Sequence, residues 1–325
     1  MKPLDFLIIG AQKCATTTLF EHLRKHPAIH MPLEKELPFF TSEDCTETAW
    51  SRFADRYFGA EDGRLWGKAT PQYMCDPLAA ERIHSLMPDV KLVAILRDPI
   101  ERTISHYQMG RRRNTEERTL EAMTQALLEP ASLQQGRTLP VPTHSAGYEP
   151  ESDFYIAWSE YGRILQRYRA LFDADQLLVL YTEDLERDPQ ATLDRLIRFI
   201  GLAPGYRPDS LGAVIHKGGA SNKIPNGLRV WLRERRWLYR LWQMVPADWQ
   251  GALRFRYEQW NVRKQVVGAA AIPEASFRAL SEHFAGDLER LLSLPVETPP
   301  WAKKYRLDSQ PAAAKPRKLQ NSVVA

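Results

Sequence analysis

A chain of 325 residues is long enough to bury a substantial core, and no Gly/Ser linker or block of like charge divides it. Its 44 basic and 40 acidic side chains leave a formal charge of +4, too even for charge alone to make nucleic acid a partner. Three cysteines, Cys14, Cys45 and Cys75, are too sparse and odd in number for a disulfide framework and suit a reducing compartment.

The first element, Asp5 to Gly10, reads as a short buried strand with Phe6 to Ile9 as a continuous apolar run. That run is too short for the apolar region of a signal peptide plus its cleavage site, and nothing reaches transmembrane length, so the sequence points to a soluble, cytoplasmic protein. Gly10 to Ala15 reads as a tight loop, and Thr16 to Leu23 opens a helix with Leu19 and Leu23 on one face. Strand, small-residue loop and helix is the layout of a phosphate cradle, in which loop N–H groups and the helix N-terminus converge on an anion. Thr16, Thr17 and Thr18 place hydroxyl donors there. The nucleoside-triphosphate loop G-x-x-x-x-G-K-[ST] does not fit: laid on Gly10 it needs Gly at Ala15 and Lys at Thr16, and only Thr17 matches. The cation stands early instead, at Lys13, which disfavours magnesium-dependent kinase chemistry. An ordinary strand–turn–helix is the plain alternative for this stretch.

The first helix stops near His26-Pro27, because the residue before proline is pushed out of helical geometry. His22, His26 and His30 recur at four-residue spacing, but Pro27 interrupts the helix and no carboxylate or cysteine completes a ligand set. They read as surface or packing groups, and no metal is expected. Glu34, Lys35 and Glu36 form a charge run before Phe39-Phe40. Trp50 to Phe58 and Asp76 to Met87 read as helices, and Val90 to Leu96 as a second buried strand. Arg97 stands at the carboxyl end of that strand, where ligands collect in open α/β sheets. A salt bridge to Asp98 or Glu101 is its structural alternative. Asp98-Pro99 opens a further helix, and Ser105 lies about two turns into it.

Residues 109–151 are the least regular, with Arg111-Arg112-Arg113, a helix from Leu120 to Leu128 and then a Pro/Gly/Ser/Gln-rich loop. Long loops in compact domains are often functional lids. The arginine cluster either meets an anionic acceptor or is simply solvated. Tyr155 to Phe172 is amphipathic and feeds a third core strand, Gln176 to Tyr181. An acidic turn, Glu183-Asp184-Leu185, and a helix from Pro189 to Ile200 follow. Alternating strands and helices argue for a parallel sheet covered on both faces. HKGGASNKIP (His216 to Pro225) is glycine-rich and basic. Leu228 to Trp249, rich in Arg and Trp, either packs with its arginines outward, presents a partner face or lies on a membrane surface. Phe277 to Leu292 is a final amphipathic helix. Residues 306–325 read as a disordered polar tail, leaving 1–305 as one domain.

Gly10-Ala-Gln-Lys-Cys-Ala-Thr-Thr-Thr18 resembles the 5′-phosphosulfate loop of sulfotransferases that use 3′-phosphoadenosine 5′-phosphosulfate (PAPS), and Leu96 to Tyr107 (LRDPIERTISHY) resembles their 3′-phosphate motif. The resemblance runs from about Asp5 to Trp301 and favours the bacterial and glycosaminoglycan branches. It implies a P-loop-like three-layer α/β/α fold with a central parallel sheet. It also implies that Gln12, Lys13, Cys14, Ala15, Thr16, Thr17, Thr18, Arg97 and Ser105 bind PAPS, joined by Lys217, Ser221 and Lys223 from the late glycine-rich loop. Within MPLEKELPFF, Glu36 falls on the family's catalytic carboxylate, which takes the acceptor's proton as it attacks sulfur. Thr70-Pro71-Gln72-Tyr73 matches a family turn, but Lys68 takes the usual glutamate position and Ala69 the position where some relatives carry lysine. Lys68 is therefore weighed as a catalytic cation against a plain surface lysine. Residues 109–151 correspond to the variable acceptor-side region. The implied acceptor is a glycan hydroxyl or amine, with a small natural product or lipid as runner-up. A kinase and a non-catalytic nucleotide-binding or membrane-peripheral module are the rival classes. Oligomeric state is not legible.

Overall fold

A computed structural model describes residues 2–113, 115–141, 151–212, 221–222, 262–263 and 272–305. Its centre is a five-stranded, all-parallel sheet in the order β2-β3-β1-β4-β5. The strands are β1 (Phe6–Gly10), β2 (Ile29–His30), β3 (Leu65–Ala69), β4 (Lys91–Leu96) and β5 (Leu177–Tyr181). β1, β4 and β5 are apolar almost throughout because helices cover both faces of such a sheet. Registers pair Ile8 with Ala69 on one side and with Val93 on the other, and Leu96 with Tyr181. The strand order places β1 between β3 and β4, so the chain leaves β1 toward one half of the sheet and later crosses to the other. Ligands of open α/β sheets settle at such a reversal, at the carboxyl ends of the strands.

The helices are α1 (Thr16–Leu23), α2 (Glu47–Tyr57), α3 (Ala79–Leu86), α4 (Pro99–Arg113), α5 (Leu120–Leu128), α6 (Pro130–Thr138), α7 (Tyr161–Arg169), α8 (Thr182–Arg187), α9 (Pro189–Phe199) and α10 (Glu274–Leu292). One core cluster of buried side chains extends from Leu4 to Tyr305. The three-layer α/β/α arrangement expected from the alternation of elements is observed.

Several local expectations are corrected. Helix α6 stands where a loop was expected: Pro130 takes its first turn, Leu133 is buried, and Gly136 packs where a Cβ would sit 3.0 Å from both the Asp153 carbonyl oxygen and the Ala157 Cβ. The segment expected to be helical from Tyr155 becomes regular α-helix only at Tyr161, after a short 3-10 turn at Ala157–Ser159. The acidic turn after β5 is helix α8.

Three sets of contacts tie the late chain to earlier segments that flank the sheet. Buried Asp287 of α10 accepts from the Gly162 and Arg163 backbone N–H groups at 2.8 and 2.9 Å. His283 of α10, Arg137 of α6 and Arg163 of α7 converge on buried Glu160, whose carboxyl they hold down at about 2 against its burial. The Tyr305 hydroxyl donates to Asp98 Oδ1 at 2.7 Å, and Lys304 Nζ donates to Asp98 Oδ2 at 3.0 Å.

The Arg/Trp-rich segment 228–249, most of the glycine-rich loop 216–225 and the tail 306–325 lie outside the described residues. Among the described residues no helix is long and apolar enough to cross a membrane, and no cluster of His, Cys, Asp and Glu is arranged to hold a metal ion.

Candidate functional site

The carboxyl end of β1 opens into the loop 11–15. Gly10 must be glycine for steric reasons: a Cβ there would lie 2.5 Å from Met74 Cβ. Lys13 and Ala15 take left-handed backbone angles, φ 74° and 62°, a conformation that costs an L-residue roughly 1–2 kcal/mol. Two such residues, separated by Cys14, turn the chain sharply between β1 and α1. α1 begins at Thr16, and Ala15 supplies no side-chain cap. The first helical N–H groups, at Thr16 and Thr17, therefore have no intrahelical acceptor. Thr17 is half-buried at this mouth, whereas Thr16 and Thr18 are buried.

Side chains of the loop diverge. Lys13 is half-buried and lies 3.8 Å from Met109 Sδ. Burial, with the Arg112, Arg113 and Arg102 charges around it, pushes its ammonium down to about 8, while Glu36 pulls the other way. Gln12 and Cys14 turn inward. The Gln12 amide donates to Glu151 at 3.1 Å, and the Cys14 thiol, 3.6 Å from the Tyr161 hydroxyl, is raised to about 11 by burial. Only their backbone groups remain to meet an anion.

Behind the loop lies a buried network that the sequence did not disclose. Arg102 Nε donates to the Gln12 carbonyl at 3.0 Å, and its Nη2 donates to His106 Nδ1 at 2.9 Å. A guanidinium can only donate, so His106 Nδ1 is an acceptor and the neutral ring carries its proton on Nε2. That Nε2–H donates to Glu151 at 2.7 Å. Burial and the Arg102 charge hold His106 down at about 4. Burial raises Glu151, but the His106 bond and charge and the Gln12 bond outweigh it and leave the carboxyl at about 2. Arg102 and His106 share a face at i and i+4, which was readable. Glu151, 45 residues beyond His106, was not.

The segment before Phe39 carries Glu36 to the lip of the loop. Glu36 also has a left-handed backbone, φ 65°, and its side chain keeps 41% of its surface. Enclosure raises its carboxyl, but the adjacent Lys35 charge and hydrogen bond, with the Gln72 amide, offset this and hold it below its ordinary value. The Glu36 charge thus reaches Lys13 across the loop and raises its pKa.

Lys68, weighed as a transferring-group cation or a surface lysine, is not at the surface. It is 2% exposed, and its Nζ donates to the Leu37 carbonyl, to Thr70 Oγ1 at 2.6 Å and to the Tyr73 hydroxyl at 2.6 Å. Those bonds take up all three donors of an ammonium. Burial pushes its pKa well below the lysine value, with the Glu36 charge opposing. On the other side of β1, Arg97 follows β4 and is forked onto Glu101 Oε2 at 2.8 and 3.1 Å. Asp98 caps α4 by accepting from the Ile100 and Glu101 N–H groups, and Ser105 is half-buried one face along that helix. Ser221 lies in a two-residue strand, β6 (Ser221–Asn222), antiparallel to β7 (Val262–Arg263). Lys217 and Lys223 lie outside the described residues.

Residues 3–217 match the model of the sulfotransferase domain family. The chain is 30% identical over 196 residues to human heparan sulfate glucosamine 3-O-sulfotransferase 3B1, covering 60% of this chain and 45% of that protein. It is 36% identical over 107 residues to the membrane-associated sulfotransferase kil1 of Dictyostelium discoideum, covering 33% of this chain and 23% of that protein. The chain therefore spans less than half the length of these relatives. Among solved structures, a sulfotransferase from Alicyclobacillus acidocaldarius is 25% identical with a TM-score of 0.53, covering 67% of this chain and 87% of that one.

Proposed function

The chain belongs to the sulfotransferase domain family, and from that premise we propose that it moves a sulfuryl group from PAPS to a hydroxyl or amine of a glycan. The observation that carries this reading is the charge arrangement at the loop. Burial and, after it, the charges of Arg112, Arg113 and Arg102 lower the pKa of Lys13, and one exposed carboxylate, Glu36, opposes them. A site of mutually repelling cations gains by accepting an anion, and the cradle N–H groups add to that preference. PAPS would supply the activated sulfuryl group and a bisphosphate leaving group.

The chain's own groups then divide the work. Loop N–H groups, Thr17 and Lys13 would hold the 5′ end, with Lys13 stabilising charge that develops on it. Arg97 and Ser105 would hold the 3′-phosphate, Arg97 exchanging Glu101 for the anion. Glu36, held ionised by Lys35 and Gln72, would take the acceptor proton. Lys217, Ser221 and Lys223 would bind the nucleotide, and residues 109–151 would shape the acceptor side. Residues 1–305 form one domain in this reading, in a cytoplasmic bacterial enzyme whose three cysteines stay as free thiols. The glycan rests on the heparan sulfate relatives.

The test is incubation with isotopically labelled PAPS and pooled glycans and small metabolites, followed by mass spectrometry of every species that gains a sulfuryl group. Label on a saccharide supports the reading. Label on a small metabolite alone moves the acceptor class, and bisphosphate binding without transfer overturns the enzyme.

A further inference from the structure

Glu36 sits in an improbable place for its backbone. The segment around it is surface chain, with Leu33 81% exposed and Glu34 and Pro38 exposed as well. A non-glycine residue at φ 65° persists only where its surroundings over-determine it. Two sets of contacts do so, and both anchor on the carboxyl end of β3. The Glu36 N–H donates to the Ala69 carbonyl at 3.0 Å. One residue on, the Leu37 carbonyl receives Lys68 Nζ, the Tyr73 hydroxyl at 3.0 Å and Thr70 Oγ1 at 3.2 Å. The Tyr73 oxygen in turn accepts from the Phe39 N–H at 2.9 Å, so the clamp extends along the segment.

Lys68 is the unusual member. Among the described residues no carboxylate makes a salt bridge to it. The rings of Tyr73 and Phe53 cover its nitrogen at 4.4 and 5.7 Å. An amine buried so completely needs every bond that it makes, and the one that crosses to another segment goes to the carbonyl of Leu37, the residue directly after Glu36.

We propose that Lys68 is a positioning residue for the base: with Thr70 and Tyr73 it clamps the Leu37 carbonyl to the end of β3 and so fixes the backbone turn that presents Glu36 beside Lys13. The clamp rests on the reading of Glu36 as base and goes beyond it, because it assigns the orientation of that base to a residue that touches neither donor nor acceptor.

The experiment has two readouts. In the free protein, Lys68→Met should raise amide hydrogen exchange across residues 36–40 by at least about tenfold and leave 10–18 unchanged, as expected when one local unit is loosened. Unchanged exchange at 36–40 overturns the clamp. The second readout is transfer from labelled PAPS to the pooled glycans in a double-mutant cycle with Glu36→Gln. Lys68→Met alone should lower turnover by roughly tenfold to a hundredfold, the effect of misplacing a catalytic group by about 1 Å. It should leave affinity for adenosine 3′,5′-bisphosphate intact, and in the Glu36→Gln background it should add nothing. Lys68→Gln, which keeps a donor, should restore part of the loss. A further loss in the Glu36→Gln background, or weakened bisphosphate binding, overturns positioning in favour of direct contact. If Lys68→Met does not fold, Tyr73→Phe removes only a hydroxyl of the same clamp and is judged by the same cycle. Normal transfer by Glu36→Gln alone removes the base, and a normal Lys68→Met beside a slow Glu36→Gln removes the clamp alone.

Discussion

Replacing His106 by Gln removes one titration buried behind the loop. The wild-type ring has no exposed surface and faces the Arg102 guanidinium, the Glu151 carboxylate and, farther off, Lys13. Its pKa falls from 6.5 to about 4, for burial and Arg102 both oppose a charged ring. In the unfolded chain the same residue takes up a proton near pH 6.5. Between pH 6.5 and 4 the unfolded state therefore binds more protons, so stability falls as pH falls through that window. From pH 7.5 to pH 5 this single group withdraws about 2 kcal/mol, since each pH unit inside the window is worth about 1.4 kcal/mol. His106→Gln keeps an amide that can meet Arg102 and Glu151 but removes the titration. Urea unfolding followed by tryptophan fluorescence should show wild type losing about 2 kcal/mol more than the variant over this range. The other histidines are common to both proteins and cancel in the difference. Parallel stability curves would refute both the neutral tautomer and the burial argument.

Glu36→Gln should leave bisphosphate affinity unchanged or slightly tighter while slowing transfer by roughly 10²–10⁴, whereas exposed Glu34→Gln should be nearly silent; exchanged phenotypes would shift the motif by two residues. With Lys13 near 8, bisphosphate affinity should fall as pH rises above 8, by up to about tenfold per pH unit, because binding requires the charged amine. Lys13→Arg should flatten that profile in isothermal titration, and a wild-type profile flat to pH 9.5 would place the cation elsewhere. Arg97→Ala should abolish a preference of at least about tenfold for adenosine 3′,5′-bisphosphate over AMP, since charged hydrogen bonds are worth about 1.5–3 kcal/mol. Glu101→Gln, which frees Arg97 from its fork, should strengthen that preference; equal affinity of wild type for both nucleotides would sink the assignment.

Physical signals in the sequence carried much of the architecture. The run Phe6 to Ile9 ahead of a small-residue loop and three threonines placed the cradle, since a parallel inner strand has to be apolar on both faces. Arg97 followed from its place after Val90 to Leu96. Helix α6 was hidden because Pro130, Gly136 and two glutamines read as loop chemistry, while its packing against the Asp153 to Ala157 segment is tertiary. Two-residue β2 has no period to read. Lys68 misled for a related reason: lysine is rarely buried whole, and nothing local announces that Tyr73 and the Leu37 carbonyl will enclose it. Glu151 closes its bond to His106 across the chain, and charge patterning has no reach over that separation.

The grip of Lys304 and Tyr305 on Asp98 bears on the order in which the protein can mature. A nascent chain has every described strand of the large sheet in hand once Tyr181 has left the ribosome, so the scaffold can form during synthesis. The residue beside Arg97 still waits for its last two partners, which are translated only after α10. Chains cut short before Tyr305 would carry an assembled sheet with that corner unfinished, and completion of the site becomes a late event of translation.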